Sequence, residues 1–341
     1  MSTSTDFFMP AEWHSHDCCW MGWPCRPQSW PFPLERAQAA YARVANAIAD
    51  FEKVKLLVHP QYLASAQQHC GTHPNISLIS MPMNDAWLRD TGATFVMSKQ
   101  QDIKGISWGF NGWGGSHSDV EDDAALAERL LSHSNISVEH IPLVLEGGSI
   151  HVDGAGTLLT TEECLLHPSR NPELTKAEIS QQLQQVLGIK KIIWLGQGLA
   201  DDETAGHVDN IACFAREGVV IALTTEDKQD SNYQALQDNL QRLRAATDAQ
   251  GRKLEVITIA QPAYRHDPYL NHRMALSYIN YYMANNAIIV PIFNDPADAA
   301  ALATLATVFP NREIVGVEAL DIVYGGGCIH CITQQQPVME L

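Results

Sequence analysis

The sequence predicts an α/β fold, one closed domain over residues 1–341 built from five repeats of strand, helix and strand. Three observations predict it. The 341 residues are 45% hydrophobic and 18% charged, which is ample apolar material for a large core. Five stretches carry apolar residues at helical spacing, and each lies between two short β-rich runs. No low-complexity tract or long Gly/Ser linker interrupts the chain, and modules that span it without a linker favour one domain over two independent ones.

The elements follow in order. The first module reads as strand 18–23 (CCWMGW), helix 33–51 and strand 53–58 (KVKLLV). The second is strand 93–97 (ATFVM), helix 120–131 and strand 136–141 (ISVEHI). The third is strand 156–161 (GTLLTT), helix 175–187 and strand 189–194 (IKKIIW). Here Thr175 precedes Lys176-Ala177-Glu178, a helix-start signal in which hydroxyl and carboxylate each satisfy a free backbone N–H. The fourth is strand 218–223 (GVVIAL), helix 232–249 and strand 253–258 (KLEVIT). The fifth is strand 287–293 (AIIVPIF), helix 297–309 opened by Asp295-Pro296, and strand 313–318 (EIVGVE). Two loops also share letters, GGSIHV at 147–152 and GGCIHC at 326–331. Either one module is used twice with chemistry in one copy, or the match is coincidence in glycine-rich turns.

The formal net charge of -17 disfavours nucleic acid and anionic membranes as partners, because both reward Lys and Arg. It is compatible with a small cationic substrate and with a homo-oligomer. The start, MSTSTDFFMP, lacks the basic and apolar regions of a signal peptide, and no apolar run reaches 18 residues, so neither export nor a membrane span is expected. Eight cysteines in a chain this long do not form a disulfide framework. At least six of them suit buried reduced thiols in a cytoplasmic protein.

Four loops carry the chemistry. GGGCIHC at 325–331 admits a redox pair, a metal clamp, a nucleophile or two buried structural thiols. A redox pair normally opens a helix, whereas ITQQQP follows here and reads as strand and tail. A closed zinc site needs two further ligands, and no second C-x-x-C supplies them. A nucleophile needs a base and an orienting group. GHVDN at 206–210 offers both, because alternation along a following strand would bring His207 and Asp209 to one face. NDAWLRDTG at 84–92 reads either as a salt-bridged turn around Arg89 or as a carboxylate and an aromatic wall facing a cation. LEGG at 145–148 adds a carboxylate at a glycine turn, and WGFNGWGG at 108–115 adds indoles on glycine hinges or a merely packed loop. One thiol, one imidazole, three or more carboxylates and several indoles, with no phosphate loop, clear metal box or basic patch, suit a planar cation. A carboxylate grips a guanidinium through two parallel hydrogen bonds. The set points to nucleophilic attack on a guanidinium carbon.

Eight motifs in this order, FMPAEWHSHDCCWMGWP, NDAWLRDTGATFV, WGFNGWGG, LEGGSIHVDGAGTLLTTEECLL, SRNP, DETAGHVDNIACF, SYINYYMANNAIIVP and GGGCIHCITQQQP, are spread over nearly the whole length of the chain. The chain resembles the bacterial-type peptidylarginine and agmatine deiminase family of the guanidino-group-modifying superfamily. The resemblance implies a five-bladed α/β propeller (pentein) with pseudo-fivefold repeats and a central active site. It implies Cys331 as nucleophile, His207 as general acid and base, Asp90 and Asp209 as guanidinium clamps, and Trp87, Trp113 and Glu146 lining the substrate site. Hydrolysis of agmatine to N-carbamoylputrescine and ammonia through a cysteine thiouronium would follow, a step toward putrescine, with no metal or cofactor. Arginine or peptidyl arginine as substrate, a redox or metal-binding role for Cys328 and Cys331, and a catalytically dead relative are the alternatives. The chain departs from the family pattern at Cys328, where asparagine is expected, at Ala205, where Asp or Asn is usual, and at Ala86 and Ala93, which replace Ser and Pro. The segments after Gly115 and Tyr264 are shorter than expected, which bears on the pocket rim.

Overall fold

Parallel strands cannot be joined by a tight turn, so each strand–helix–strand module must place its helix across a sheet face. The computed structural model, which describes residues 7–269 and 271–338, shows this arrangement in each of five separate sheets. The parallel pairs are His16–Gly22 with Lys53–Val58, Ile103–Gly109 with Ser137–Val144, Thr157–Thr161 with Lys191–Leu195, Val219–Thr224 with Glu255–Ala260, and Ala287–Ile292 with Glu313–Glu318. The crossovers contain the helices Leu34–Ala49, Lys176–Leu187, Tyr233–Ala245 and Asp298–Val308, and in the second sheet the short pair Glu121–Ala124 and Leu126–His133. Burial explains the first helix: Ala37, Tyr41, Val44, Ala45 and Ile48 recur at helical spacing and are fully buried. The Thr175 start signal is realised as a reciprocal cap with Glu178, and Gly188 ends that helix in the left-handed region at φ 66°.

A third strand runs antiparallel along the first strand of each pair. These strands are Thr333–Pro337, Thr94–Ser98, Ile150–Val152, Ala212–Arg216 and Tyr282–Ala284. Four of them follow a single helical turn: His330–Ile332, Leu88–Thr91, Gly147–Ser149 and Val208–Asn210. Two sheets carry an outer fourth strand, Phe7–Phe8 or Ile76–Ser80.

The repeats therefore stand, with three corrections. In the second module the strand that crosses over is Ile103–Gly109, while 93–97 is its antiparallel neighbour; the Gly105 and Gly109 of that strand dilute its apolar pattern. His207 and Asp209 lie on a helical turn ahead of a strand, so they do not meet by strand alternation. The two look-alike loops are offset in structure. Cys331 sits in the turn before its strand, as Gly148 does, whereas Val152 lies inside a strand.

Seven cysteines are buried, Cys25 is half-buried, and all eight are free. Among the described residues no helix is long and apolar enough to cross a membrane.

Candidate active site

The turns that precede the antiparallel strands bring the sequence-predicted site residues together. Asp90, from Leu88–Thr91, accepts the Trp113 indole N–H at 2.8 Å on Oδ2 and the Gly148 backbone N–H at 2.9 Å on Oδ1. Gly148 has to be glycine. A Cβ there would lie 2.5 Å from His207 Nδ1, 2.9 Å from Asp209 Oδ2 and 3.1 Å from Asp90 Oδ1. Trp113 itself takes a left-handed φ of 53° between Gly112 and Gly114, strain of the sort stored where a side chain must be aimed.

His207 is fully buried, with Nδ1 3.9 Å from Asp90 Oδ1 and Nε2 3.6 Å from Glu146 Oε2, and neither nitrogen makes a direct hydrogen bond. Burial opposes its charge, but Asp90, with Cys164 and Glu146, raises its pKa well above the ordinary imidazole value. Glu146 is likewise fully buried and accepts Arg170 Nε at 3.1 Å, while Arg170 Nη2 donates to the Thr204 carbonyl at 2.9 Å. Burial works against the Glu146 charge, and His207 and Arg170 nevertheless hold its pKa low.

The Cys331 thiol lies 3.6 Å from Asp209 Oδ2, and Asn280 Nδ2 donates to its sulfur at 3.3 Å. Burial first, then Asp209 and Asp90, push this thiol well above its usual pKa. Both causes favour the protonated thiol over the thiolate. Asp209 is held low against burial by the His330 imidazole, which donates to Oδ2 at 2.9 Å, and its Oδ1 is buried without a partner.

A cavity opens onto Asp90 and Cys331 between the walls Trp87 and Trp113, with Glu203 and Gly326 also on its lining. Trp87 is backed by Trp30, rings stacked at 5.9 Å. Among the described residues no Lys or Arg lines this cavity. Of the other sequence candidates, Trp108 bonds Thr94 inside its sheet, Asp85 accepts from Ser29, and Arg89 reaches Glu12 and Gln335. Ala205 has a left-handed φ of 60°, which a β-carbon disfavours and Asp or Asn tolerates better. Sequence reasoning missed Asn280, His330, Glu12, Arg170 and Glu203. All five sit inside quoted motifs, yet their spacing showed nothing of their partners.

Two buried triads, Glu12–His151–His330 and Glu146–Cys164–His207, bring potential metal ligands within 4.8 Å of one another. Neither fits a cation. Arg89 and Arg170 already pair with the two carboxylates, at 3.4 and 3.1 Å, and both His330 nitrogens are committed to carboxylates.

A sequence profile of the Porphyromonas-type peptidyl-arginine deiminase family matches residues 8–337. A Legionella pneumophila relative is 49% identical over 97% of this chain and 95% of its own. An agmatine deiminase from Pseudomonas aeruginosa is 44% identical over 97% of this chain and 95% of its own. The structure of Enterococcus faecalis agmatine deiminase matches with a TM-score of 0.93 at 38% identity, covering 97% of this chain and 96% of the other.

Proposed function

The chain belongs to the Porphyromonas-type peptidyl-arginine deiminase family, and from that premise we propose that it hydrolyses agmatine to N-carbamoylputrescine and ammonia. One observation carries this reading. The buried Cys331 thiol lines an indole-walled cavity with Asp90 and Glu203, its described lining residues include no Lys or Arg, and Asp209, 3.6 Å from the sulfur through Oδ2, keeps Oδ1 buried without a partner. A guanidinium supplies what this site lacks. Asp90 and Asp209 take its N–H groups in charge-assisted hydrogen bonds. Its positive charge offsets the two anions that hold the Cys331 proton, so on binding the thiol releases that proton to solvent and the thiolate forms. The sulfur attacks the central carbon. His207, charged between Asp90 and Glu146, gives a proton to the departing nitrogen, and ammonia leaves. The S-alkylthiouronium so formed is attacked by a water that the now neutral His207 deprotonates; the C–S bond then breaks, the hydroxyl proton of the adduct returns to the Cys331 sulfur, and the ureido product leaves. General acid–base help of this kind contributes about 10²–10⁴ in rate.

Agmatine is favoured over arginine by charge. Glu203 on the lining suits a distal ammonium, and among the described residues no lining Lys or Arg is present to accept an α-carboxylate. A redox role for Cys328 and Cys331 finds no activated thiolate, since burial pushes Cys328 up to about 12. We further take residues 1–341 as one domain, with the five sheets as blades of an α/β propeller around this site. The repeated sheet pattern and the convergence of the turns support that arrangement. Eight free thiols accord with a reducing, cytoplasmic setting.

Ammonia release from agmatine, free arginine and a peptide ending in arginine tests the substrate, with agmatine expected to give the highest kcat/KM. Cys331→Ala should abolish turnover of all three. Normal turnover by that variant would exclude the covalent route.

A further inference from the structure

The histidine between the two cysteines takes no part in the steps above. Its ring is 3% exposed, with Nδ1 2.9 Å from Asp209 Oδ2 and Nε2 2.7 Å from Glu12 Oε1. Ionised carboxylates only accept, so both ring nitrogens must donate and the ring carries a positive charge. Every neighbour fixes it there. Glu12 also pairs with Arg89 Nη1 at 3.4 Å and lies 3.5 Å from His151 Nε2, and the His151 ring stacks on His330 at 6.3 Å. The His330 backbone N–H donates to Asn280 Oδ1 at 2.9 Å, and its carbonyl accepts Arg89 Nε at 3.3 Å. Asp209 is thus tied through Oδ2 while Oδ1 stays buried and unpartnered. A buried acceptor of this kind calls for a donor, and on the reading above a guanidinium N–H supplies it.

We propose that His330 is a positioning residue for deimination: a buried imidazolium, braced by Glu12, that anchors one oxygen of Asp209 and leaves the other aimed at the guanidinium. The proposal rests on the reading that Asp209 grips the substrate. It separates His330 from His207, which faces Asp90 and Glu146 and moves protons; His330 moves none.

Two amides split the ring's contacts. The amide nitrogen of His330→Asn stands near the place of Nδ1 and can still donate to Asp209. That of His330→Gln stands near Nε2 and can still donate to Glu12. Agmatine binding is measured by calorimetry with each placed in Cys331→Ala, where no turnover occurs. His330→Gln should weaken binding about 10-fold or more, as expected for loss of a charge-assisted bond to the clamp, and His330→Asn clearly less. In the otherwise native enzyme, kcat/KM should follow the same order. Binding unchanged in both, or lost equally in both in step with thermal stability, would overturn the proposal.

If neither amide folds, Glu12→Gln carries the test. Arg89, His151 and Asp209 then remain around His330, and the ring loses one of the two anions holding its charge. The alkaline fall of agmatine affinity should move to lower pH, and an unmoved profile would overturn the proposal. Ammonia release by the native enzyme that disappears in Cys331→Ala establishes the deiminase reading whatever the His330 variants do, so the two can fail separately.

Discussion

Gly148 shows how narrow the residue-scale tolerances are. Its Cα faces an imidazole and two carboxylates, and one added methyl group would collide with His207 and Asp209 and crowd Asp90. Displacements of about 1 Å at a reacting centre cost on the order of 10²-fold in rate. Gly148→Ala should therefore lower kcat/KM for agmatine by about 10²-fold, and a variant with native kcat/KM would show that the three groups need not be held this closely. The Cys331 thiol gives a pH prediction with a definite sign. Burial, Asp209 and Asp90 all raise its pKa, so the free enzyme exposes little thiolate at neutral pH. Alkylation of Cys331 by neutral iodoacetamide should be slow near pH 7 and rise about tenfold per pH unit toward alkaline pH. A rate already level below pH 7 would mean the thiolate exists before substrate arrives. Asp90 and Asp209, adjacent carboxylates at the same site, are driven in opposite directions by their partners. Burial raises Asp90, whereas the His330 bond holds Asp209 low despite burial.

At the scale of elements, the crossover helices and parallel strands were legible because they are long and periodic. Lys53–Val58 and Glu313–Glu318 match their expected limits, and helix 175–187 begins one residue later, at Lys176, behind its cap. The Thr175–Glu178 cap is local chemistry, so Thr175→Ala should cost about 1 kcal/mol of stability by urea unfolding and leave kcat/KM unchanged. A matching loss of kcat/KM would tie that helix to the site. The antiparallel strands were harder to see. Ile150–Val152 and Tyr282–Ala284 have three residues each, too few to establish a period of two. They also matter most for function, since they fix the turns that aim Gly148 and the Asn280 segment. The corrected offset between the two look-alike loops has the same origin. Shared letters aligned the glycines, whereas the structure aligns the turns.

At the scale of the molecule, the site is assembled from parts of the chain that sequence distance keeps apart. Glu12 and His330 are 318 positions apart, and Asp209 and Cys331 are 122 apart. The thiol, imidazole, carboxylates and indoles could be recognised as a set from their types. The second layer could not: Arg170 behind Glu146, Glu12 behind His330 and Asn280 against the sulfur are ordinary residues until the fold pairs them. The strand Thr333–Pro337, directly after the Cys331 turn, pairs with His16–Gly22, so Cys331 is held by a sheet built from sequence-distant strands. The mechanism proposed above uses that convergence to put the sulfur on a guanidinium carbon. Rapid acid quenching during agmatine turnover, followed by mass analysis of the peptide containing Cys331, measures it most directly. We predict an adduct on Cys331 with the mass of agmatine less one ammonia, absent from Cys331→Ala. Steady turnover with no adduct at Cys331, undiminished in Cys331→Ala, would contradict it.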